Sequence, residues 1–472
     1  MADSPYNPVS TEIITILEDV CGSKNVVLDE KKLKRYSRDQ TAESKYAHMP
    51  EAVVFPGNSE EVASIIKTAL KYKIPVTPRG AGSGLSGGCV PVFGGIVICL
   101  ERLNRIMDID RDNMFLVTEP GVVTRNLDPP LSEQGLFFAG YPMSEEFCHV
   151  GGNIAENAGG GRAIKYGVTG RYIHGLDIVT PAGDIISLGG KRVKDVTGYD
   201  LLRLMVGSEG TLGIFTRAII RLTPRPTYRR TILTLFPDAE KAIRVIPRIM
   251  IAGGVIPTSI EFIDRICLHR TCEFLKETIP YQKAGAMMLF ETDGNRESIV
   301  QEEAERIGEI CSGNGALKVL PAKSLEESER FWKIRKSVTW ALKKFSPRQS
   351  LEDIVVPPAA IPEILKKLER ISAKYDTPIP CYGHAGDGNL HATPLKNPEH
   401  TDEQWEKSLP LVLKEIYHET SRLGGAISGE HGIGHKRKPY LPIVMSNSHL
   451  KMMRSVKKSL DPGNIMNPGK II

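Results

Sequence analysis

The sequence predicts an α+β protein with more than one domain, and three observations support this fold class. The chain has 472 residues, which is too long for a single hydrophobic core. Its first part alternates apolar strand patterns with an amphipathic helix in a β-α-β order. After Pro224-Arg-Pro226, strands and helices alternate as in an antiparallel sheet covered by helices. We therefore expect domains at 1–224 and 225–425, and a separate C-terminal segment at 426–472.

Composition excludes several classes of protein. The net charge of +5, from 61 basic and 56 acidic residues, is small and spread along the chain, whereas a nucleic-acid-binding protein needs a clustered basic face. The eight cysteines form no Cys-x-x-Cys pair, so we interpret them as reduced thiols rather than ligands of an iron–sulfur cluster. No secretory signal opens the chain, and no apolar run approaches the ~20 residues of a membrane span. We expect a cytoplasmic location.

Local signals in the first part of the chain support the β-α-β order. Residues 11–21 form an amphipathic helical pattern that ends at Gly22. The sequence Asn58-Ser-Glu-Glu61 is typical of a capping box, and strand patterns at 52–55 and 74–77 flank the helix that it opens. Further strands are predicted at 96–100, 115–118 and 214–222.

A glycine-rich loop, Pro-Arg-Gly-Ala-Gly-Ser-Gly-Leu-Ser-Gly-Gly at 78–88, follows the second strand. Gly82 to Gly87 matches the dinucleotide-binding motif G-x-G-x-x-G, but that motif requires the glycines to open a helix. The next residues, through Pro91 and Gly94, cannot form one. We therefore reject a Rossmann domain and expect the loop N–H groups to wrap an anionic pyrophosphate. A plain structural loop is the alternative.

Two further glycine clusters, at 151–161 and 207–213, also lie between predicted strands. The first of them lacks bulky side chains, which lets a flat ligand pack against the backbone. Three such clusters in the first half of the chain suit one extended cofactor better than three unrelated turns.

The second half predicts an antiparallel sheet with helices. Strands near 231–236, 257–263 and 284–291 alternate with helices near 238–252 and 296–312. A long helix at 324–345 carries Arg335. The remaining elements are a strand at 353–356 and helices at 360–375, 402–423 and 448–460.

A hairpin signal within residues 380–394 brings two histidines together. Asp387-Gly388 fits a type I′ turn, which needs positive φ at both central residues. That turn would place His384 directly opposite His391, with Cβ atoms about 4.5–5.5 Å apart. Two imidazoles at this distance suggest a metal site that lacks a ligand, and Ser-Gly-Glu-His-Gly-Ile-Gly at 428–434 offers one. Two surface histidines on a glycine-rich turn are the alternative.

Taken together, the motifs at 78–85, 151–160, 207–213, 384–391 and 428–434 resemble those of the vanillyl-alcohol oxidase/p-cresol methylhydroxylase superfamily of flavoenzymes. Within it, the chain is similar to the branch that contains the glycolate oxidase catalytic subunit, D-lactate dehydrogenases and D-2-hydroxyglutarate dehydrogenase. The resemblance runs from about residue 50 to the end. It implies a two-part FAD-binding domain, a cap domain for the substrate, and a C-terminal segment that returns to the flavin and the active site.

The resemblance implies FAD bound without a covalent bond, because Ser83 stands where several relatives tether the flavin through a histidine. The residues implied to contact FAD lie in the glycine clusters and the segments beside them: Arg79, Gly80, Ala81, Gly82, Ser83, Gly84, Leu85, Gly87, Pro120, Gly121, Tyr141, Gly151, Gly152, Asn153, Ala155, Asn157, Gly159, Arg171, Ile173, Glu209, Gly210, Ile214 and Asn467.

The resemblance also implies a divalent metal, since the 2-hydroxy-acid branch binds one through two histidines and a glutamate. In this chain those residues are His384, His391 and Glu430. Two imidazoles and one carboxylate leave open positions, as in catalytic zinc sites, and the same ligands suit iron. Either metal is therefore expected.

Catalytic and substrate-binding residues are implied by the same motifs. His431 matches the family's catalytic base, and Arg335 matches an arginine that binds the substrate carboxylate, a task suited to a planar bidentate donor. A histidine or an exposed helix arginine with a structural role is the alternative for each. Asn389 and Tyr141 are implied to line the substrate site.

Two departures from the 2-hydroxyglutarate enzymes favour a small monocarboxylate. The stretch 350–353 has no lysine, and Thr393 stands where those relatives carry an asparagine. We expect oxidation of a D-2-hydroxy acid, with D-lactate favoured and glycolate next.

The electrons are expected to pass to a protein partner. An electron-transfer flavoprotein, with possible bifurcation to NAD, and an iron–sulfur subunit are both open. The alternatives to this function are a flavin reductase of the same fold that uses NAD(P)H, and a non-catalytic subunit.

Overall fold

The computed structural model describes residues 4–41 and 44–472, which form two compact units. The first unit comprises the chain up to Gly159, then Val168–Arg225 and Glu430–Ile472. The second comprises Gly160–Gly167 and Pro226–Gly429. Placement of the short segment Gly160–Gly167 with the second unit is a feature that the sequence did not indicate.

The first unit is built on two sheets. Four strands form one sheet, with its last three strands parallel, in the order Val26–Val27, Ala52–Val54, Ile96–Cys99 and Val76–Arg79. Five antiparallel strands form the other, in the order Ile106–Asp110, Phe115–Thr118, Ile214–Arg221, Ile173–Val179 and Ile185–Gly189. A short antiparallel pair joins Leu136–Phe137 to Thr223–Pro224.

The predicted β-α-β order is confirmed. Its helix, Ser59–Tyr72, begins after Asn58, whose Oδ1 accepts the N–H of Glu61 at 2.8 Å. The Glu61 carboxylate in turn accepts the N–H of Gly57 at 2.7 Å, so both ends of the capping arrangement are satisfied. The other α-helices of this unit are Thr11–Cys21, Glu30–Leu33, Asp128–Ser132, Val150–Glu156, Leu201–Met205, Leu441–Val444 and Asn447–Leu460.

The second unit contains the predicted antiparallel sheet, which has seven strands. Their order is Lys318–Pro321, Tyr228–Phe236, Ala286–Gly294, Ser259–Asp264, Cys381–His384, Asn389–Ala392 and Glu352–Val355. Helices pack on it through apolar side chains such as Phe331, Ile334 and Leu268.

Helices of the second unit include those predicted near 238–252, 296–312, 360–375 and 402–423, and two that were not predicted, Ala163–Tyr166 and Arg265–Leu275. The α-helices of this unit are Ala163–Tyr166, Ala239–Pro247, Arg265–Leu275, Glu297–Gly313, Leu325–Lys336, Val338–Phe345, Ile361–Tyr375 and Asp402–Arg422. The predicted single helix at 324–345 is wrong, because the chain breaks at Ser337 into two helices. In the described ranges 4–41 and 44–472, no helix has both the length and the apolar character needed to cross a membrane.

The predicted register of the 384–391 hairpin is also wrong. His384 pairs with Asn389, and His391 pairs with Tyr382. The turn is longer than two residues, since the carbonyl of His384 accepts the N–H of Gly388 at 3.1 Å. Positive φ occurs at Gly388, at +85°, but not at Asp387, so the turn is not type I′. Both histidines still lie on one face of the sheet. His391 is two residues along its strand from Asn389, which pairs directly with His384, and side chains two residues apart on a strand share a face.

Glycine is required at position 388, and its replacement should destabilise the protein. Besides the positive φ, a Cβ at Gly388 would overlap the carbonyl oxygen of Val356. We expect Gly388→Ala to lower the free energy of unfolding by at least about 1–3 kcal/mol, measured by chemical denaturation. Gly313→Ala is the matched control, since a Cβ there meets nothing within 4 Å, and its effect should stay within about 1 kcal/mol. Equal effects would contradict the turn geometry.

Candidate active site

The glycine-rich loop of the first unit is held from two sides. The N–H of Gln40 donates to the carbonyl of Gly84 at 3.0 Å, and the N–H of Gly87 donates to Asp39 Oδ2 at 2.7 Å. Arg79 is buried beneath the loop, where its Nη1 donates to the carbonyl of Arg38 at 3.0 Å. A Cβ at Gly82 would overlap this guanidinium. The loop therefore wraps around Arg79, which supports its backbone.

The second glycine cluster begins a short helix, Val150–Glu156, beside this loop. A Cβ at Gly80 would lie 3.7 Å from the N atom of Gly152, so the two backbones run close together. The N–H of Gly151 donates to the carbonyl of Pro120 at 2.7 Å, which adds the turn at Pro120 to the same region. A Cβ at Gly152 meets nothing within 4 Å, so this face of the helix borders open space.

Glu209 joins the third glycine cluster to the last motif. Its carboxylate accepts the N–H groups of Ile433 at 2.7 Å and Gly434 at 2.6 Å. Asn467 lies beside it and donates to the carbonyls of Gly88 and Glu209 at 2.9 and 2.7 Å. Segments that are far apart in the sequence thus meet around one buried carboxylate.

The other implied flavin residues fall at the edges of the same elements. Asn153 donates to Thr124 Oγ1 at 2.7 Å, and Asn157, with φ of +51°, accepts the N–H of Gly170 at 2.8 Å. Ile173 and Ile214 are the first residues of two largely buried strands. The side chain of Tyr141 is half-buried, and Arg171 is exposed.

Buried polar atoms in this region that lack a hydrogen-bond partner within the described part of the chain include His149 Nδ1, next to the helix with the open face, and Ser208 Oγ, next to Glu209. Burial lowers the pKa of His149, so its imidazole is neutral at pH 7. Unpaired polar atoms beside closely packed glycine backbone fit a large polar cofactor with a flat ring system.

In the second unit, the structure brings His384 and His391 together. Their ring centroids are 5.7 Å apart, and both side chains are buried. They lie on adjacent strands as diagonal neighbours, which is within reach for long side chains. Tyr382, paired with His391, packs its ring 5.1 Å from that imidazole. The hairpin thus brings the two imidazoles together as predicted, although the predicted register of its strands was wrong.

Glu261 is the carboxylate next to this pair. It pairs with His384 across the neighbouring strand and is fully buried. Its Oε1 lies 2.7 Å from His384 Nδ1, and its Oε2 accepts Arg335 Nε at 2.6 Å. Burial alone would raise the pKa of Glu261, but the electrostatic interactions and hydrogen bonds with His384 and Arg335 outweigh burial and lower it. Glu261 is therefore ionised at neutral pH.

Arg335 reaches the same face of the sheet from the helix Leu325–Lys336. Its guanidinium lies 5.0 Å from the centre of the Tyr382 ring, and the residue is only 5% exposed. The Nη2 atom is buried and has no acceptor among the residues that the structure describes. Since an unpaired buried donor is costly, this atom is suited to bind an anionic ligand.

A second buried carboxylate, Asp353, supports the opposite side of the hairpin. It accepts Asn389 Nδ2 at 2.7 Å, and its Oδ1 lies 3.9 Å from His391 Nδ1. Its other oxygen accepts the hydroxyl of Ser428 at 2.8 Å and the N–H of Gly429 at 2.9 Å. Asp353 therefore holds the residues that immediately precede the Glu-His pair of the last motif.

Glu430 and His431 belong to the first unit. His431 Nε2 lies 3.7 Å from Glu430 Oε1, and both residues are only partly exposed. A Cβ at the next residue, Gly432, would overlap Glu156 Oε2, so the backbone after His431 passes close to the partly buried Glu156.

Glu261 and Asp353 were missed at the level of the sequence. Each lies on a strand whose sequence is typical of a buried strand. Each contacts residues more than 30 positions away in the sequence. An acidic residue inside an otherwise apolar strand is a signal that could have identified both.

Solved structures share this fold. p-Cresol methylhydroxylase with bound substrate aligns with a TM-score of 0.80 and 16% identity, covering 97% of this chain and 96% of that chain. A 4-ethylphenol oxidase from Gulosibacter chungangensis aligns with a TM-score of 0.77 and 18% identity, covering 99% of this chain and 98% of that chain. The protein therefore has the fold of the vanillyl-alcohol oxidase/p-cresol methylhydroxylase class of flavoproteins, as predicted.

Family models identify the family within that class. The model of the FAD binding domain matches residues 50–189, and the model of FAD linked oxidases, C-terminal domain, matches residues 225–471. The chain belongs to the family of FAD-linked oxidases and dehydrogenases, and it is an FAD-binding oxidoreductase. The prediction of this superfamily, of an α+β fold and of FAD is confirmed.

Curated relatives match over most of the chain. The glycolate oxidase subunit GlcD of Bacillus subtilis is 40% identical, covering 92% of this chain and 91% of the relative. The D-lactate dehydrogenase of Anaerostipes hadrus is 34% identical, covering 100% and 99%. The D-2-hydroxyglutarate dehydrogenase of Stutzerimonas stutzeri is 30% identical, covering 97% and 98%.

The flavin should be released when the protein unfolds. The loop around Arg79 carries Ser83, whose hydroxyl is not expected to form the histidine-type tether, so we expect FAD to be held by non-covalent contacts. Acid precipitation should leave the yellow flavin in the supernatant, and intact-mass spectrometry should give the mass of the bare chain. A flavin that precipitates with the protein would contradict this prediction and would make His149, beside the loop, the first residue to test.

Proposed function

We propose that this protein oxidises a small D-2-hydroxy acid, with D-lactate favoured and glycolate next, to the 2-oxo acid. The observation that carries the proposal is the buried Nη2 of Arg335, which lacks an acceptor and lies on the sheet face that carries His384 and His391. A carboxylate is the natural ligand of such a donor. Relatives named glycolate oxidase subunit and D-lactate dehydrogenase support a 2-hydroxy acid as the substrate class.

A divalent metal ion is part of the proposal. His384 and His391 would bind a divalent ion, zinc or iron, and Glu430 would complete the set. The donor chemistry of these residues fits: a metal would bind His384 through Nε2, because Nδ1 faces the Glu261 carboxylate at 2.7 Å. When bound, the metal supplies a positive charge that lowers the pKa of the substrate hydroxyl, and FAD supplies a hydride acceptor.

Four side chains contact the substrate in this proposal. Arg335 donates from Nη2 to a carboxylate oxygen and fixes the orientation of the carbon that loses its hydrogen. His431 accepts the hydroxyl proton, since an imidazole is the side chain that most often serves as a general base. Asn389 and Tyr141 line the substrate. The position of Asn389 is supported by its hydrogen bond to Asp353.

A monocarboxylate is supported by the two positions that depart from the 2-hydroxyglutarate enzymes. In the stretch without lysine, Ser350 donates to Glu352 at 2.6 Å, and Tyr417 donates to the other oxygen of that carboxylate. Thr393 is 1% exposed, which leaves little room for a ligand to reach it. Neither position therefore supplies a cation for a second substrate carboxylate.

The electron acceptor is proposed to be a protein, either an electron-transfer flavoprotein, possibly bifurcating to NAD, or an iron–sulfur subunit. The eight cysteines of this chain are free thiols, and seven of them are buried. Burial raises the pKa of several, including Cys99 to about 12, so they are poor thiolate ligands. A cluster in a separate subunit is consistent with this chemistry.

The proposed base can be tested by flavin reduction without oxygen. D-Lactate should bleach the flavin of the wild-type protein rapidly in a stopped-flow instrument. His431→Ala should keep its flavin and lose at least about 100-fold in the rate of bleaching, because general base catalysis contributes about 10²–10⁴-fold. His400→Ala, which removes a histidine outside the proposed site, is the matched control and should bleach normally.

Rapid bleaching of the His431→Ala variant would refute the base assignment. A wild-type flavin that no 2-hydroxy acid reduces, but that NADPH reduces rapidly, would instead favour a flavin reductase of the same fold.

Metal content provides an independent test. Elemental analysis should find about one zinc or iron per chain, and a chelator should remove the metal and the bleaching by D-lactate while leaving FAD in place. Zn²⁺ or Fe²⁺ should then restore bleaching. Protein that is active with D-lactate but contains no stoichiometric divalent ion would refute the metal site.

A further inference from the structure

Glu261 makes two hydrogen bonds that connect different parts of the proposed chemistry. One oxygen of its carboxylate faces His384 Nδ1 at 2.7 Å, and the other accepts Arg335 Nε at 2.6 Å. The residue is fully buried, and a Cβ at Gly161 would overlap Oε1, so the backbone of Gly160–Gly167 covers this carboxylate. Both acceptor atoms of one side chain are therefore committed to two site residues.

We infer that Glu261 is a positioning residue that controls metal retention through His384 and substrate binding through Arg335. The inference rests on the proposed function and extends it to a residue that touches neither ligand. It predicts that one substitution weakens two different binding events.

On the metal side, the carboxylate selects the tautomer of His384. A proton on Nδ1 is stabilised by the hydrogen bond to Glu261, which leaves the lone pair on Nε2 for a metal. The antiparallel pairing of Glu261 with His384 sets this geometry, because directly paired residues place their side chains on one face. The imidazole is therefore held in its metal-binding orientation before any ion arrives.

On the substrate side, the same carboxylate holds the Nε edge of Arg335. The guanidinium also packs against Tyr382, so its plane is fixed by two contacts. With Nε engaged, Nη2 is presented as the unpaired buried donor. A substrate carboxylate would then meet a preorganised donor rather than a mobile side chain.

Asp353 and Glu291 do not fill this role. Asp353 lies 3.9 Å from His391 Nδ1, which is too long for a hydrogen bond. Glu291 is buried on the neighbouring strand and accepts Trp332 Nε1 at 3.0 Å, but its arginine neighbours are Arg162 and Arg229. Glu291 is therefore a matched control, since it is also a buried carboxylate paired with arginine. None of its hydrogen bonds and ion pairs described above involves His384 or Arg335.

The test compares Glu261→Gln with Glu291→Gln in the full-length flavoprotein. The amide of Glu261→Gln keeps one acceptor and turns a donor toward the second partner, so it cannot accept from both Arg335 Nε and His384 Nδ1. We expect Zn²⁺ affinity, measured by competition with a chelator, to fall about 10–100-fold. The KM for D-lactate should rise at least tenfold, with a smaller change in the limiting rate of flavin reduction. Glu291→Gln should change neither quantity.

A double variant keeps the test decisive if Glu261→Gln folds poorly. Glu261→Gln combined with Arg335→Met removes the buried charge pair as a unit, which proteins tolerate better than removal of one partner. Compared with Arg335→Met alone, it should still lose about 10–100-fold in Zn²⁺ affinity but show no further rise in KM. Glu261→Asp, which keeps the charge, should recover part of the Zn²⁺ affinity.

Wild-type Zn²⁺ affinity in both Glu261→Gln and the double variant would overturn the inference, even if both variants unfold at a lower temperature. Failure of the proposed function has a different signature, because the wild-type protein itself would then not respond to Zn²⁺ or to D-lactate.

Discussion

The need to compensate buried carboxylates shapes the functional regions of this protein. Removing an ionised carboxylate from water costs several kcal/mol unless hydrogen bonds and opposite charges replace the lost hydration. Hydrogen-bond donors surround Glu261 and Asp353 in the second unit and Glu209 in the first, although burial still raises the pKa of Glu209. Their donors come from distant parts of the sequence; Ile433, for example, is 224 positions from Glu209. Each carboxylate therefore fixes the loops that carry the proposed chemistry.

Periodic and local signals predicted much of the fold. The capping arrangement at Asn58 and the helix after it depend on residues within a few positions of one another, so the sequence contains all the information needed. The rejection of a Rossmann domain followed similarly from residues next to the loop. The hairpin register could not be derived in this way, because the preference of Asp-Gly for a two-residue turn competes with pairing to Ser259–Asp264 and Glu352–Val355 on either side.

For the candidate site, too, local features were predictable from the sequence and contacts between distant residues were not. The proximity of His384 and His391 was predictable, because both lie within one local hairpin signal. The carboxylate beside them was not predicted, because Glu261 is 123 positions from His384 and 74 from Arg335 and meets both only in the folded structure. The fold alone also leaves the chemistry open. p-Cresol methylhydroxylase shares this fold at 16% identity, so the substrate has to be inferred from side chains.

The division of the chain has a consequence for biosynthesis. The second unit is inserted into the first, and the chain changes unit at 159/160, 167/168, 225/226 and 429/430. Ile465 and Met466 belong to the same core as Val76 and Ile96, and the N–H of Val76 donates to the carbonyl of Ile465 at 2.8 Å. Ile465 and Met466 are synthesised after the whole of the second unit, so the core around Val76 is complete only when the chain has passed residue 466. Unlike domains that fold one after another, the first unit therefore cannot complete this core before the second unit has been synthesised.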